Sequence, residues 1–267
     1  MLNVAFIGSG NMASAIARGM ISSQIISPCN ITLFDKNSEQ YSRFHNDCRK
    51  ATSILDAVSQ ANYIFLSVKP QNIAEVLEEI AKNKDLSSKI FISICAGITM
   101  SSIEARLGEI KIARAMPNTP LLIGQGVTGL CQNNRLELYE FDTIKSFFNS
   151  CGFTVEVNES DLNNVTALTG SSPAYAYLFV KSAVDAIKKL GFNNEKSTEM
   201  FCKTLIGASN MILQSNKSID DLIKMVTSPN GTTEKAMISF EENNFSEIMY
   251  KAMKACADRA EELSKLN

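Results

Sequence analysis

Short apolar runs rich in β-branched residues alternate with amphipathic stretches through the first half of the chain. Residues 3–7, 30–34, 62–67, 89–95 and 111–115 read as strands, most of them too apolar to face water. Strands of that kind belong inside a parallel sheet. Helix-length segments lie between them at 12–22, 70–82 and 101–107, with Pro70 at a first-turn position of one and Gly108 closing another. Repeated strand–helix units predict a doubly wound α/β domain. The apolar run 126–131, the helix-like 136–149 and the run 153–157 then extend the sheet at its far edge.

From about residue 159 the alternation stops. Segments 161–169, 172–190, 194–215, 218–225, 232–242 and 245–266 all carry helical periodicity, so the expected division is an α/β domain over 1–158 and an all-α domain over 159–267. Ser172 with Pro173 reads as an N-cap and first-turn pair, and Gly191 closes that helix. Its first half, Ala174-Tyr175-Ala176-Tyr177-Leu178-Phe179-Val180, is apolar almost all round. Such a helix has to be covered on several sides, by its own domain or by a second subunit. Lys181, Asp185, Lys188 and Lys189 exclude a membrane span.

The first strand runs straight into Gly8-Ser9-Gly10-Asn11-Met12-Ala13, which opens the first helix. That is the context a GxGxxA dinucleotide fingerprint requires: Gly8 for the tight turn, Gly10 for close approach of a pyrophosphate, and Ala13 for packing helix on strand. Ile7, Gly8, Ser9, Gly10, Asn11 and Met12 are therefore cofactor-binding candidates in a Rossmann-like sheet. Asp35 ends the second strand, where a carboxylate accepts hydrogen bonds from the adenosine ribose and disfavours a 2′-phosphate. Lys36 follows at once and would attract that phosphate, while Asp-Lys-Asn also suits a plain turn, so both stand as candidates and the preference between NADH and NADPH stays open. Val68, Lys69, Pro70 and Gln71 leave the sheet on its carboxyl edge, as do Cys95, Ala96 and Gly97, whose small side chains leave room for a flat nicotinamide. Cys95 reads as a packed thiol, since no basic partner is near it in sequence. In Arg114-Ala115-Met116-Pro117-Asn118-Thr119-Pro120 two prolines predict an extended, rigid loop on the same edge.

In the helical half, Val226-Thr227-Ser228-Pro229-Asn230-Gly231-Thr232-Thr233 leads a glycine-bearing loop into a helix beginning near Thr232. The free amides of Gly231, Thr232 and Thr233 would form an anion site fit for a small carboxylate, and a threonine hydroxyl can donate to or accept from a ring nitrogen. An ordinary cap with Thr232 or Thr233 at the N-cap position is the plainer reading of the same residues.

Composition narrows the partners. With 45% apolar and 20% charged residues, a net charge of -2 and scattered Lys and Arg, the chain lacks the footprint of a nucleic-acid or membrane binder. Its partner is expected to be a small molecule. Seven cysteines, an odd number with no CxxC pair, and a start without secretory features predict free thiols and a cytoplasmic protein. His45 is the sole histidine, which leaves a transition metal only carboxylates for ligands, so no metal site is expected.

Taken in order, Phe6-Ile7-Gly8-Ser9-Gly10-Asn11-Met12, Val68-Lys69-Pro70-Gln71, Arg114-Ala115-Met116-Pro117-Asn118-Thr119-Pro120, and Gly170-Ser171-Ser172-Pro173-Ala174-Tyr175 with Thr227-Ser228-Pro229-Asn230-Gly231-Thr232-Thr233 resemble the pyrroline-5-carboxylate reductases along nearly the whole chain. The resemblance implies hydride transfer from NADPH, with NADH also open, to the C=N bond of 1-pyrroline-5-carboxylate, giving proline. It implies that the helical domain intertwines with its counterpart in a homodimer, and that larger rings of dimers are common. It also implies that the substrate carboxylate sits on the loop holding Ser228, Asn230, Gly231, Thr232 and Thr233, with catalytic Thr233 hydrogen-bonded to the imine nitrogen. Asn230 departs from the family's usual glycine, and asparagine is the residue after glycine that best tolerates left-handed backbone. A related imine or β-hydroxyacid reductase, and a noncatalytic dinucleotide sensor, are the rival readings that share this build.

Overall fold

The structure is a computed structural model that describes residues 2–265. Eight strands form one sheet: β1 (Val4–Ile7), β2 (Ile31–Phe34), β3 (Arg49–Lys50), β4 (Tyr63–Leu66), β5 (Ile90–Ser93), β6 (Lys111–Met116), β7 (Gly126–Gln132) and β8 (Gly152–Glu156). Their order is β3-β2-β1-β4-β5-β6-β7-β8, the doubly wound arrangement extended at one edge as the sequence predicts. All neighbours are parallel except β6 and β7.

The apolar runs are continuous because each central strand faces two cores. Val4, Phe6, Tyr63, Phe65, Ile90 and Ile92 point to one side, against α1 (Asn11–Ser22) and α5 (Leu138–Asn149). Ala5, Ile7, Ile64, Leu66 and Phe91 point to the other, against α2 (Ile54–Ser59), α3 (Ile73–Ile80) and α4 (Met100–Leu107). Period-two alternation thus buries every position of a strand. Phe65 is the aromatic centre of the first core, stacked on Phe6 with ring centroids 4.6 Å apart, tilted against Phe147 and edge-on to Phe148, both at 6.1 Å.

Two segments differ from expectation. The loop after β6 is extended only as far as Asn118; Thr119–Ile123 winds into a 3-10 helix with Pro120 in its first turn. Ser172 does not cap a helix either. The backbone is already helical through α6 (Leu162–Val165) and a π-helical turn, Thr166–Gly170, and α7 (Ser172–Lys189) continues from it. The Ser172 hydroxyl donates to the carbonyl of Leu168 at 2.6 Å, a bond made back along a helix. Pro173 brings no amide for the carbonyl of Thr169, and the side chain of Asn118 takes that place, its Nδ2 donating at 3.0 Å. Asn118 Oδ1 in turn accepts the Val127 amide at 2.9 Å, so one buried side chain ties the 3-10 segment, β7 and the π turn together.

The alternation of strands ends at Glu156, but compactness divides the chain elsewhere, into Met1–Pro173 with Cys256–Asn267, and Ala174–Ala255. The second unit holds most of α7, then α8 (Ser197–Gln214), α9 (Ile219–Val226), α10 (Thr232–Glu242) and most of α11 (Phe245–Lys265). Within it only Val184 and Ser197 are buried, while Tyr177, Leu178, Leu190 and Leu213 are each more than 60% exposed. Apolar area of this extent marks an interaction surface.

Asn118→Ala leaves the Val127 amide and the Thr169 carbonyl without partners and should lower stability by about 2–4 kcal/mol. The shift of the urea midpoint at fixed protomer concentration measures it.

Candidate functional site

At the carboxyl ends of β1, β2 and β4 lies a cleft of about 320 Å³, lined by Ile7, Gly8, Gly10, Asp35, Lys36, Val68 and Lys69 together with Ser67, Gln40, Asn72 and Glu75. Gly8 shapes it. Its φ of +95° and its closeness to Ser67, whose carbonyl carbon would lie 2.7 Å from an added Cβ, admit only glycine. The Gly8 amide donates to the Phe34 carbonyl at 2.8 Å, and the Ser67 hydroxyl donates to the carbonyls of Gly8 (2.6 Å) and Ile7 (3.1 Å). Gly10 is the N-cap of α1, with no side chain closing the helix end and open space where a Cβ would stand. The first-turn amides of Asn11 and Met12 therefore offer an anion site with room above it. Ser9 is buried with its hydroxyl unpartnered.

Asp35 faces back into this loop. Its Oδ2 accepts the Ser9 amide at 2.7 Å and its Oδ1 the Asn37 amide at 2.9 Å. Lys36 is engaged as well: its Nζ donates to both carboxylate oxygens of Glu75, at 2.6 and 2.7 Å. Pro70 and Gln71 form the 3-10 turn Pro70–Asn72 that leads into α3, and Asn72, rather than either of them, lines the cleft.

Cys95, Ala96 and Gly97 line a second cavity of the same unit, about 250 Å³, with Arg114, Met116, Thr166 and Cys256 among its other walls. Burial pushes the Cys95 thiol up to about 11, and its Sγ donates to the carbonyls of Leu66 (3.3 Å) and Val68 (3.2 Å). It is a protonated packing group, as the sequence suggests. Buried Arg114 donates to Glu159 Oε1 at 2.6 Å, and the same oxygen accepts the Met100 amide at 2.8 Å, which leaves the cavity's buried cation paired.

In the second unit the loop before α10 turns tightly. Asn230 adopts a left-handed φ of +58°, the Gly231 amide donates to the Ser228 carbonyl at 2.9 Å, and a Cβ on Gly231 would come within 2.6 Å of Ser228 Oγ. Glu234 Oε2 accepts the Asn230 amide at 2.8 Å. Neither of these two amides is then available, and neither threonine caps the helix: Gly231 is the N-cap, and no side chain closes the turn. Among the described residues the amides of Thr232 and Thr233 keep no acceptor, and they are the free donors of this helix start.

Ser67 stands in the sequence as part of the loop on the ligand edge but not among the cofactor-binding residues, and its hydroxyl binds the fingerprint loop; Glu75 has no place in the sequence reading. Position after a strand on the ligand edge is a usable signal for Ser67. Glu75 carries none, being one of several glutamates on an amphipathic helix.

Residues 3–97 match the family described as NADP oxidoreductase, coenzyme F420-dependent, and residues 159–263 match pyrroline-5-carboxylate reductase dimerisation. A pyrroline-5-carboxylate reductase of Corynebacterium melassecola is 33% identical, with 99% of this chain and 100% of its own length covered. Two solved structures align over 98% of both chains: the Plasmodium falciparum pyrroline carboxylate reductase with NADP bound (31% identity, TM-score 0.89) and a Coxiella burnetii pyrroline-5-carboxylate reductase (32%, 0.90). With likeness of this level running from end to end, through the fingerprint cleft and the loop before α10 alike, the chain belongs to the pyrroline-5-carboxylate reductase family.

Proposed function

We propose that this protein reduces the ring imine of 1-pyrroline-5-carboxylate to proline with NADPH, accepting NADH as well, and that it works in the cytoplasm as a homodimer that can assemble further. Residues 1–158 serve the cofactor, and residues 159–267 serve dimerisation and substrate. The observation that carries the reading is the loop before α10, where two uncapped amides and a half-buried threonine hydroxyl stand together on a glycine-built turn.

The nicotinamide, when bound, supplies the hydride. The chain supplies position. The uncapped first turn of α1, with Gly8 to Met12, would hold the pyrophosphate; Asp35, Lys36 and Val68 to Gln71 would bound the cofactor's path; and Cys95 to Gly97 would give a small-residue floor. The amides of Thr232 and Thr233 take the substrate carboxylate, on the loop formed by Ser228, Asn230 and Gly231. Thr233's hydroxyl orients the ring nitrogen. A protonated imine is already electrophilic, so the chain would need only to hold its ring carbon in place and let the nitrogen keep the proton it arrived with. No strong acid or histidine is needed, and positioning alone supplies several kcal/mol of the barrier. The exposed apolar faces of Ala174–Ala255 support the dimer, since such a unit lacks a core of its own. No described helix is long and apolar enough to cross a membrane.

Purified protein with pyrroline-5-carboxylate should consume reduced-nicotinamide absorbance, with NADPH and NADH run in parallel. Cofactor binding without turnover would favour the sensor reading instead. Thr233→Ala should lose about tenfold to a hundredfold in kcat/KM, the cost of one hydrogen bond to a charged group; full turnover at saturating substrate would remove Thr233 from its role. Light scattering should give at least twice the chain mass, and a stable monomer would contradict the dimer.

A further inference from the structure

We propose that Glu75 sets the cofactor preference of this chain by holding Lys36, so that a 2′-phosphate has to displace a carboxylate before it gains its counter-ion. The inference rests on reading the cleft as the dinucleotide site. Asp35, Lys36 and Glu75 line one cleft although they come from β2's end and from α3.

Asp35 is fixed there. Two backbone amides hold its carboxylate, and the Tyr41 hydroxyl holds its backbone, accepting from the Asp35 amide at 2.9 Å and donating to its carbonyl at 3.1 Å. A carboxylate with one amide on each oxygen retains lone pairs for a ribose hydroxyl, so NADH finds an acceptor already in place. The 2′-phosphate of NADPH meets that same negative charge and needs a cation. Lys36 is the adjacent one, and both oxygens of Glu75 are bonded to its ammonium. Glu75 is itself well seated, in the first turn of α3 behind Pro70, where a helix favours negative charge.

The three side chains sum to one negative charge, and binding a phosphate among them requires Lys36 to exchange one anion for another. Lys36 and Glu75 are both about two-thirds exposed, at 68% and 66%, and an exposed pair is weak. The exchange is therefore cheap, and the bias is graded: NADPH still binds, with a smaller margin over NADH than an unengaged Lys36 would give it. Glu79, on the same helix and bonded to Lys82 just beyond its end but not lining the cleft, provides a matched control of equal charge.

The test is equilibrium titration of the full-length protein with NADPH and NADH, and competition by adenosine 2′,5′-bisphosphate against 5′-AMP. Glu75→Gln should move the affinity ratio about twofold to fivefold toward the phosphorylated ligands, the worth of an exposed ion pair. Lys36→Gln should move it the opposite way, the double variant should show no further effect of Glu75, and Glu79→Gln should leave the ratio where it is. An unchanged ratio in Glu75→Gln, or a Glu75 effect that survives the loss of Lys36, overturns the proposal. Ratios that move as expected without reduction of pyrroline-5-carboxylate would sink the reductase reading and keep this one; binding of neither dinucleotide would end both.

Discussion

The cleft depends on the backbone of Gly8 lying directly against that of Ser67. β1 and β4 are neighbours because the chain crosses from one half of the sheet to the other between them, and both loops leave on the same edge. That crossover is where a doubly wound sheet opens a crevice. Its width is set by how closely the two loops approach, and a Cβ on Gly8 would force them apart. The Ser67 hydroxyl then fastens the carbonyls of Ile7 and Gly8, so the amides of the following turn are held in one direction. Asp35 completes the frame by accepting the Ser9 amide, which couples the end of β2 to the same loop. The Asp35 carboxylate and the uncapped first turn of α1 thereby share a single rigid support.

The helical unit is governed by the opposite condition, since it cannot satisfy its own apolar side chains. Burying one large aliphatic or aromatic side chain is worth about 1.5–3 kcal/mol, and Tyr177, Leu178, Leu190 and Leu213 are only some of those that Ala174–Ala255 leaves in water. Its secondary structure is nonetheless long and regular, with helices such as Ser197–Gln214 and Phe245–Lys265. A unit with well-formed helices and almost no interior is half of something. Order in the loop at the start of α10 then depends on burial of those apolar faces, because the loop lies inside that unit.

Much of this was legible in the residues because strong local patterns and global fold agree. The five β-branched runs became β1, β2, β4, β5 and β6, and Gly8 to Ala13 took up the strand–turn–helix context that gave the fingerprint its weight. What escaped had no local signature. β3 consists of exposed Arg49 and Lys50, paired through backbone alone to Thr32 and Leu33, and polarity argued against it. Ser172 misled because serine before proline suits a helix start and a helix irregularity equally well; only the partner of the Thr169 carbonyl, Asn118, distinguishes them, and that contact is long-range. The Lys36–Glu75 pair is long-range too, and charge pairs across elements leave no periodic trace.

Asn230 shows how such a departure is absorbed. A left-handed asparagine costs more than glycine, and the loop around it carries two compensations. Glu234, in the first turn of α10, accepts the Asn230 amide, and the Ser228 carbonyl accepts that of Gly231. Both bonds brace the turn from within and use only amides that precede the helix. The amides of Thr232 and Thr233 lie beyond them and stay directed by α10 itself. The direction of those free amides is thus specified by where the helix begins, which Gly231 decides, while Asn230 contributes the left-handed turn before it.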